Sequence, residues 1–161
     1  LRNLAVLELC LEGLLAGILV DEQMRSSRPT LYAAGDVAQG KNLLSGRHEI
    51  IGLWSSARQQ GRAAGRSLAG APVAYRGGVP HNITHVGRLL FAAVGCVDDY
   101  DDLEVTQRDG SYQFRTWKDG RLVGVNLLGS CLCAGVVKQA LLRAATGATT
   151  EMEATWTSFS E

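Results

Sequence analysis

Residues 30–40 read TLYAAGDVAQG, and Asp36 is the only acidic side chain in this run of small and apolar residues. Leu31 to Ala34 do not alternate between polar and apolar, which predicts a short strand over 30–36 buried on both faces. A carboxylate just past the end of such a strand stands where open α/β sheets bind their ligands. Upstream, GILVD at 17–21 reads as a second compact strand, and leucines 4, 7, 11, 14 and 15 form the stripe of a helix over 4–15. Downstream, KNLLSGRHE at 41–49 reads as a polar loop. From Trp54 to Leu68 the sequence favours a helix, with Ser55 or Ser56 as N-cap and Gly70 as a stop before Pro72.

The stretch GAPVAYRGGVPH, 70–81, holds two prolines and three glycines and marks a boundary between two modules, 1–70 and 71–161. Beyond it, LLFAAVG, LEVTQRD, YQFRTWK and RLVGVNLLG are strand-length segments separated by turn signals. KDGR at 118–121 predicts a two-residue hairpin turn, because Asp-Gly suits positive φ. These segments imply an antiparallel sheet over 79–130. A helix over 132–146 should cover it, with Val136, Val137, Ala140, Leu141 and Ala144 on one side. The tail from 148 is polar, with Trp156 and Phe159 able to dock.

Sixteen basic residues balance sixteen acidic ones, which points away from nucleic acid and anionic membranes as partners. The longest apolar stretch, 4–20, carries Glu8 and Glu12 and is broken by Gly13 and Gly17, so no membrane span is expected. Glycine makes up 19 of the 161 residues, above the usual share of about 7%, so glycine turns should be structural devices. Four unevenly spaced cysteines do not form a secreted disulfide framework, and reduced thiols in a cytoplasmic protein are expected. The chain starts at Leu1 and reads as a piece of something longer.

In their order, GILVDEQMRSSRPTLYAAGDVAQG and GLWSSARQQGRAAGRSLAG resemble the final FAD-contacting segment of the pyridine nucleotide-disulfide oxidoreductase superfamily. YQFRTWKDGRLVGVNLLG is similar to the C-terminal domain of the branch with NADH oxidases, rubredoxin reductases and the flavin module of nitrite reductases. The resemblance spans about residues 17–147. It implies the last strands and helix of a three-layer FAD-binding fold, followed by an antiparallel α+β domain of the interface or dimerisation type. The α/β (α+β) class follows from the same elements.

The resemblance makes Gly35, Asp36, Val37, Leu53, Trp54 and Ser55 the cofactor-binding candidates. Asp36 would accept from a ribityl hydroxyl of FAD while Gly35 lets the backbone approach. The helix starting near Trp54 would offer free amides and its positive dipole end to the flavin pyrimidine. Read from the residues alone, Asp36 is equally an Asx-type cap of its own loop, and Trp54 is equally a core aromatic.

The family's first FAD contact, a Gly-x-Gly-x-x-Gly turn, is missing, and so is the second glycine-rich turn of its nicotinamide domain. The implied function is therefore part of an FAD-dependent oxidoreductase, with NAD(P)H as co-substrate of the longer protein. Its expected partners are flavin and nicotinamide nucleotides, an electron-acceptor protein or module, and a second copy of the chain. The competing reading is a non-catalytic α+β interaction module with a relic flavin loop. No catalytic residue is assigned.

Cys131 and Cys133 lack the paired spacing of a zinc site, and no metal is expected. Cys10 and Cys96 read as small buried residues, His81 and His85 as turn or surface residues, and DDYDD at 98–102 as a solvated loop.

Overall fold

A computed structural model describes residues 17–129 and 133–146. The helix expected over 4–15, Cys10, Cys131 and the tail lie outside the described residues. The chain divides into two compact units, Leu1–Gly78 and Val79–Glu161.

In the first unit, β1 (Ile18–Leu19) runs parallel to β2 (Ala38–Lys41), with Ile18 opposite Ala38. β3 (His48–Glu49) returns antiparallel to β2, so part of the expected polar loop at 41–49 is strand. The strand expected over 30–36 does not form. Its residues fold back on 24–26, with Ser26 N–H donating to Leu31 O at 2.9 Å and Ala33 N–H to Met24 O at 3.1 Å. Tyr32 makes a single bridge to Arg25. Turns closed at 28–31 and 35–38 bracket the run, which leaves too few residues between them for a ladder. Asp36 therefore sits two residues before a strand instead of ending one.

α1 (Trp54–Leu68) follows the expected bounds. Its N-cap is Leu53 and not Ser55 or Ser56; Leu53 has no side-chain oxygen to offer, and Ser56 is turned inward. Ser56, Gln60, Ala63 and Ala64 form the buried face, small and polar enough for the helix to lie close to its neighbours. Ala63 and Ala64 join Ile18, Val20, Met24, Ala33, Ala38 and Tyr75 in one core cluster. The closest approach is at Gly40, where a Cβ would stand 2.5 Å from Gln60 Nε2 and 3.0 Å from Tyr75 Cε1.

The second unit is an antiparallel sheet of β4 (His81–Val86), β5 (Leu89–Gly95), β6 (Asp102–Arg108), β7 (Ser111–Lys118) and β8 (Arg121–Gly129). Among the described residues its strand order is β4-β5-β8-β7-β6. Asp119 and Gly120, at φ 49° and 70°, make the expected two-residue turn between Lys118 and Arg121. Asp109 and Gly110 repeat it between β6 and β7. His81 and His85, read as turn or surface residues, belong to an edge strand, His81–Val86, whose exposed polar residues conceal its extended backbone.

α2 (Ala134–Ala145) packs on β5 and β8, the two strands that carry Ala92, Val94, Leu122, Val125 and Leu127 inward. Its buried residues are Ala134, Val137, Ala140 and Leu141. Val136 and Ala144, expected on the same side, are exposed: at 100° per residue Val136 falls to the flank of the stripe set by 134, 137, 140 and 141, whereas Ala144 lies within its arc but in the last turn of the helix. The whole is α/β in the first unit and α+β in the second.

Candidate functional site

Gly35 has φ +82°, a left-handed conformation that glycine adopts without strain. Its carbonyl accepts the Ala38 N–H at 2.9 Å, which makes Asp36 and Val37 the exposed centre of a tight turn. Val37 O accepts from Ile18 N–H at 2.6 Å and ties the turn to the start of β1. The Gly35 N–H donates to Gln60 Oε1 at 2.7 Å. A Cβ on Gly35 would meet Ala57 Cβ at 3.5 Å, so the turn lies against the first two turns of α1.

Gln60 is only 1% exposed. Beside it, the buried Tyr75 hydroxyl faces Gln60 and Ser56 but makes no hydrogen bond of ordinary geometry. Burial raises the Tyr75 pKa above its ordinary value, opposed by the proximity of Gln60 and Ser56. Gln60 thus holds the Asp36 turn from the helix side while Gly40 and Tyr75 confine it. Sequence reading missed this role. The available signal was a glutamine at helical spacing on the face of Ala63 and Ala64.

At the start of α1 no side chain caps the helix and the first turn holds no acidic residue. The first helical bond runs from Ala57 N–H to Leu53 O at 2.8 Å, leaving the preceding amides without an intrahelical partner. Such an end attracts negative charge. Trp54 is 79% exposed, so the core alternative does not apply to it; its ring lies under the Arg58 guanidinium at 5.8 Å.

Among the described residues the Asp36 carboxylate accepts no hydrogen bond, whereas Asp21 takes the amides of Gln23 and Arg25 and Asn42 takes that of Leu44. Asp36 is not an Asx cap of its own loop. Gly35, Asp36 and Val37 share one turn, Leu53, Trp54 and Ser55 the helix start, and the Gly35–Ala57 approach brings the two sets side by side. A free carboxylate and unspent amides suit a ligand with hydroxyls at one end and an electron-rich ring at the other. The donor set fits a flavin.

The other sequence candidates lie in the second unit. His81 Nδ1 contacts Val79 O at 3.1 Å, and Lys138 Nζ donates to its Nε2 at 3.1 Å, so the ring links β4 to α2. His85 is exposed. Cys96 is half-buried, its thiol donating to Asp98 Oδ1 at 3.3 Å, rather than a closed core residue. Burial pushes the Cys133 thiol up. The 98–102 segment is organised: Asp99 pairs with Lys118, and Asp101 Oδ2 accepts the Asp119 N–H at 2.9 Å. These contacts brace the β7–β8 turn.

Residues 10–61 match the family described as pyridine nucleotide-disulphide oxidoreductase. The chain is 31% identical over 134 residues to the NADH-dependent phenylglyoxylate dehydrogenase subunit epsilon of Aromatoleum evansii, an alignment covering 79% of this chain and 32% of that protein. It is 28% identical over 130 residues to NADH-rubredoxin oxidoreductase of Clostridium acetobutylicum, covering 78% and 32%. In fold it is similar to a covalent putidaredoxin reductase–putidaredoxin complex, with a TM-score of 0.68 at 23% identity, over 78% of this chain and 30% of that one.

The chain belongs to the pyridine nucleotide-disulfide oxidoreductase superfamily. It spans about a third of the length of these relatives.

Proposed function

We propose that the chain supplies the last part of the FAD site and the C-terminal domain of an FAD-dependent NAD(P)H oxidoreductase, residues 1–70 belonging to the first and 71–161 to the second. The observation that carries this reading is the unpartnered Asp36 carboxylate, on a turn that Gln60 holds against the uncapped start of α1. Bound there, FAD would supply the hydride-accepting chemistry between reduced nicotinamide and an electron acceptor.

The residues of this chain would orient and tune. Asp36 would accept a hydrogen bond from a sugar-like hydroxyl, and Gly35 and Val37 would shape the approach. The amides after Leu53, at Trp54 and Ser55, would stabilise negative charge on the ring edge they face. Trp54, exposed and already engaged with Arg58, would flank that edge. An acceptor protein and a second copy of the chain are the partners this reading adds, in keeping with relatives named for rubredoxin and putidaredoxin. A cytoplasmic location completes it.

The test is expression of the full reading frame. It should encode two glycine-rich dinucleotide turns before Leu1 and yield a yellow protein whose flavin is bleached anaerobically by NADH or NADPH. A colourless full-length protein that takes up no added FAD would refute the proposal.

A further inference from the structure

We propose that a groove on the outer side of α1 binds the oligophosphate group of a nucleotide-sized ligand, at a site separate from the Asp36 turn. Gln59, Arg62 and Arg66 of α1 face Val73 and Arg76 across a cavity of about 450 Å³. Neither Asp36 nor Trp54 lines it.

Charge is distributed unevenly around this groove. The whole chain balances basic against acidic residues, yet residues 50–97 contain five arginines and no carboxylate. Arg58, Arg62 and Arg66 recur every four residues along α1, a like-charge spacing that costs helix stability unless something compensates it. Among the described residues neither Arg62, Arg66 nor Arg76 forms an ion pair. Glu22, whose carbonyl takes the Tyr75 N–H at 2.7 Å, does not line the cavity.

The three cations are all arginine, whose planar fork binds phosphate oxygens two at a time. The volume lies within the range of small-ligand sites. A protein-docking patch would need a surface of roughly 800 Å² on each partner, well beyond this groove. Val73, with Ala63 beside it, supplies an apolar wall for the remainder of the ligand. Phosphate charge against three guanidinium groups that form no ion pair among the described residues is the match the groove offers.

The test titrates the 161-residue chain with tripolyphosphate, ADP and adenosine by calorimetry at low salt. Tripolyphosphate and ADP should each saturate one site, and adenosine should bind much more weakly. Arg62→Gln and Arg76→Gln should each weaken tripolyphosphate by about tenfold. Arg88→Gln, an exposed arginine of the second unit, and Asp36→Ala should leave it unchanged. Absence of saturable binding, equal affinity for adenosine, loss on Arg88→Gln equal to that on Arg62→Gln, or loss on Asp36→Ala would each overturn the proposal.

Discussion

The Gly35 amide and the Gln60 side chain, 25 residues apart, meet in a 2.7 Å hydrogen bond that fixes the Asp36 turn to α1. Gln60 is buried, so removing its carboxamide leaves the Gly35 N–H unsatisfied. Gln60→Leu, close in volume, should destabilise the first unit by about 1–3 kcal/mol. Hydrogen exchange at Gly35 should accelerate accordingly. Unchanged exchange at that amide would show that the turn is held by other contacts.

In the full-length protein, Asp36→Ala should weaken flavin retention while the flavin-free fold stays intact, because the carboxylate accepts no bond within the described residues. Losing one charge-assisted hydrogen bond should cost roughly 1.5–3 kcal/mol, about ten- to a hundredfold in affinity. Asp36→Asn should be milder, since its amide oxygen still accepts from a hydroxyl. Flavin affinity and apoprotein melting measured on both variants decide the matter. A lowered melting temperature with unchanged affinity would assign Asp36 to the fold alone.

Much of this arrangement was legible in the sequence, and the exceptions have physical causes. α1 could be bounded because Gly70 and Pro72 stop it, and the β7–β8 turn because Asp119-Gly120 fits positive φ. The Asp36 turn could be found because a lone carboxylate among alanines and glycine is conspicuous. The strand over 30–36 was misplaced because apolar composition does not reveal that turns at 28–31 and 35–38 close on either side. β4 escaped because its apolar residues, Ile83 and Val86, are exposed along with Asn82, Thr84 and His85, so the strand carries no apolar alternation. Gln60 escaped because a glutamine in a helix reads as surface unless the distant amide that donates to it is known.

A pH dependence follows from Tyr75. Burial raises its pKa in the fold above 10.0, so the folded state holds the phenolic proton longer than the unfolded chain does. The stability this represents is complete below the unfolded value of about 10 and is lost as the pH rises through the folded value. The first unit should therefore melt at falling temperatures as the pH rises above about 10, and Tyr75→Phe should flatten that slope. Because the hydroxyl lacks a well-formed partner, Tyr75→Phe should change stability near neutral pH by less than about 1 kcal/mol. A slope that persists in the variant would place the titrating group elsewhere.

The isolated 161-residue chain should bind FAD weakly or not at all. It contains no Gly-x-Gly-x-x-Gly turn for the pyrophosphate, and one turn with one helix end leaves most of such a cofactor without contacts. Fluorescence titration in excess tripolyphosphate, which occupies the arginine groove, should show no saturation at micromolar flavin. Purification with stoichiometric yellow flavin would contradict this.

The register of the second unit can be tested at Gly124, which pairs with Gly95 on β5 and with Thr116 on β7. A Cβ there would run into the Cys96 carbonyl oxygen and stand 2.6 Å from Thr116 Oγ1. That carbonyl is fixed from two sides: the Thr116 hydroxyl donates to it at 2.7 Å, and the Cys96 N–H is bound to Val123 O at 2.8 Å. Gly124→Ala should therefore destabilise the second unit by about 2–3 kcal/mol, through displaced backbone. Trimming the neighbouring side chain cannot relieve a clash with a carbonyl, so adding Thr116→Ala should leave the loss in place or deepen it. Protease resistance of β8 and α2, followed in both variants, reads this directly. A double variant as resistant as the original chain would show that Cys96 does not lie over Gly124, and that the β5–β8 register differs from the one described.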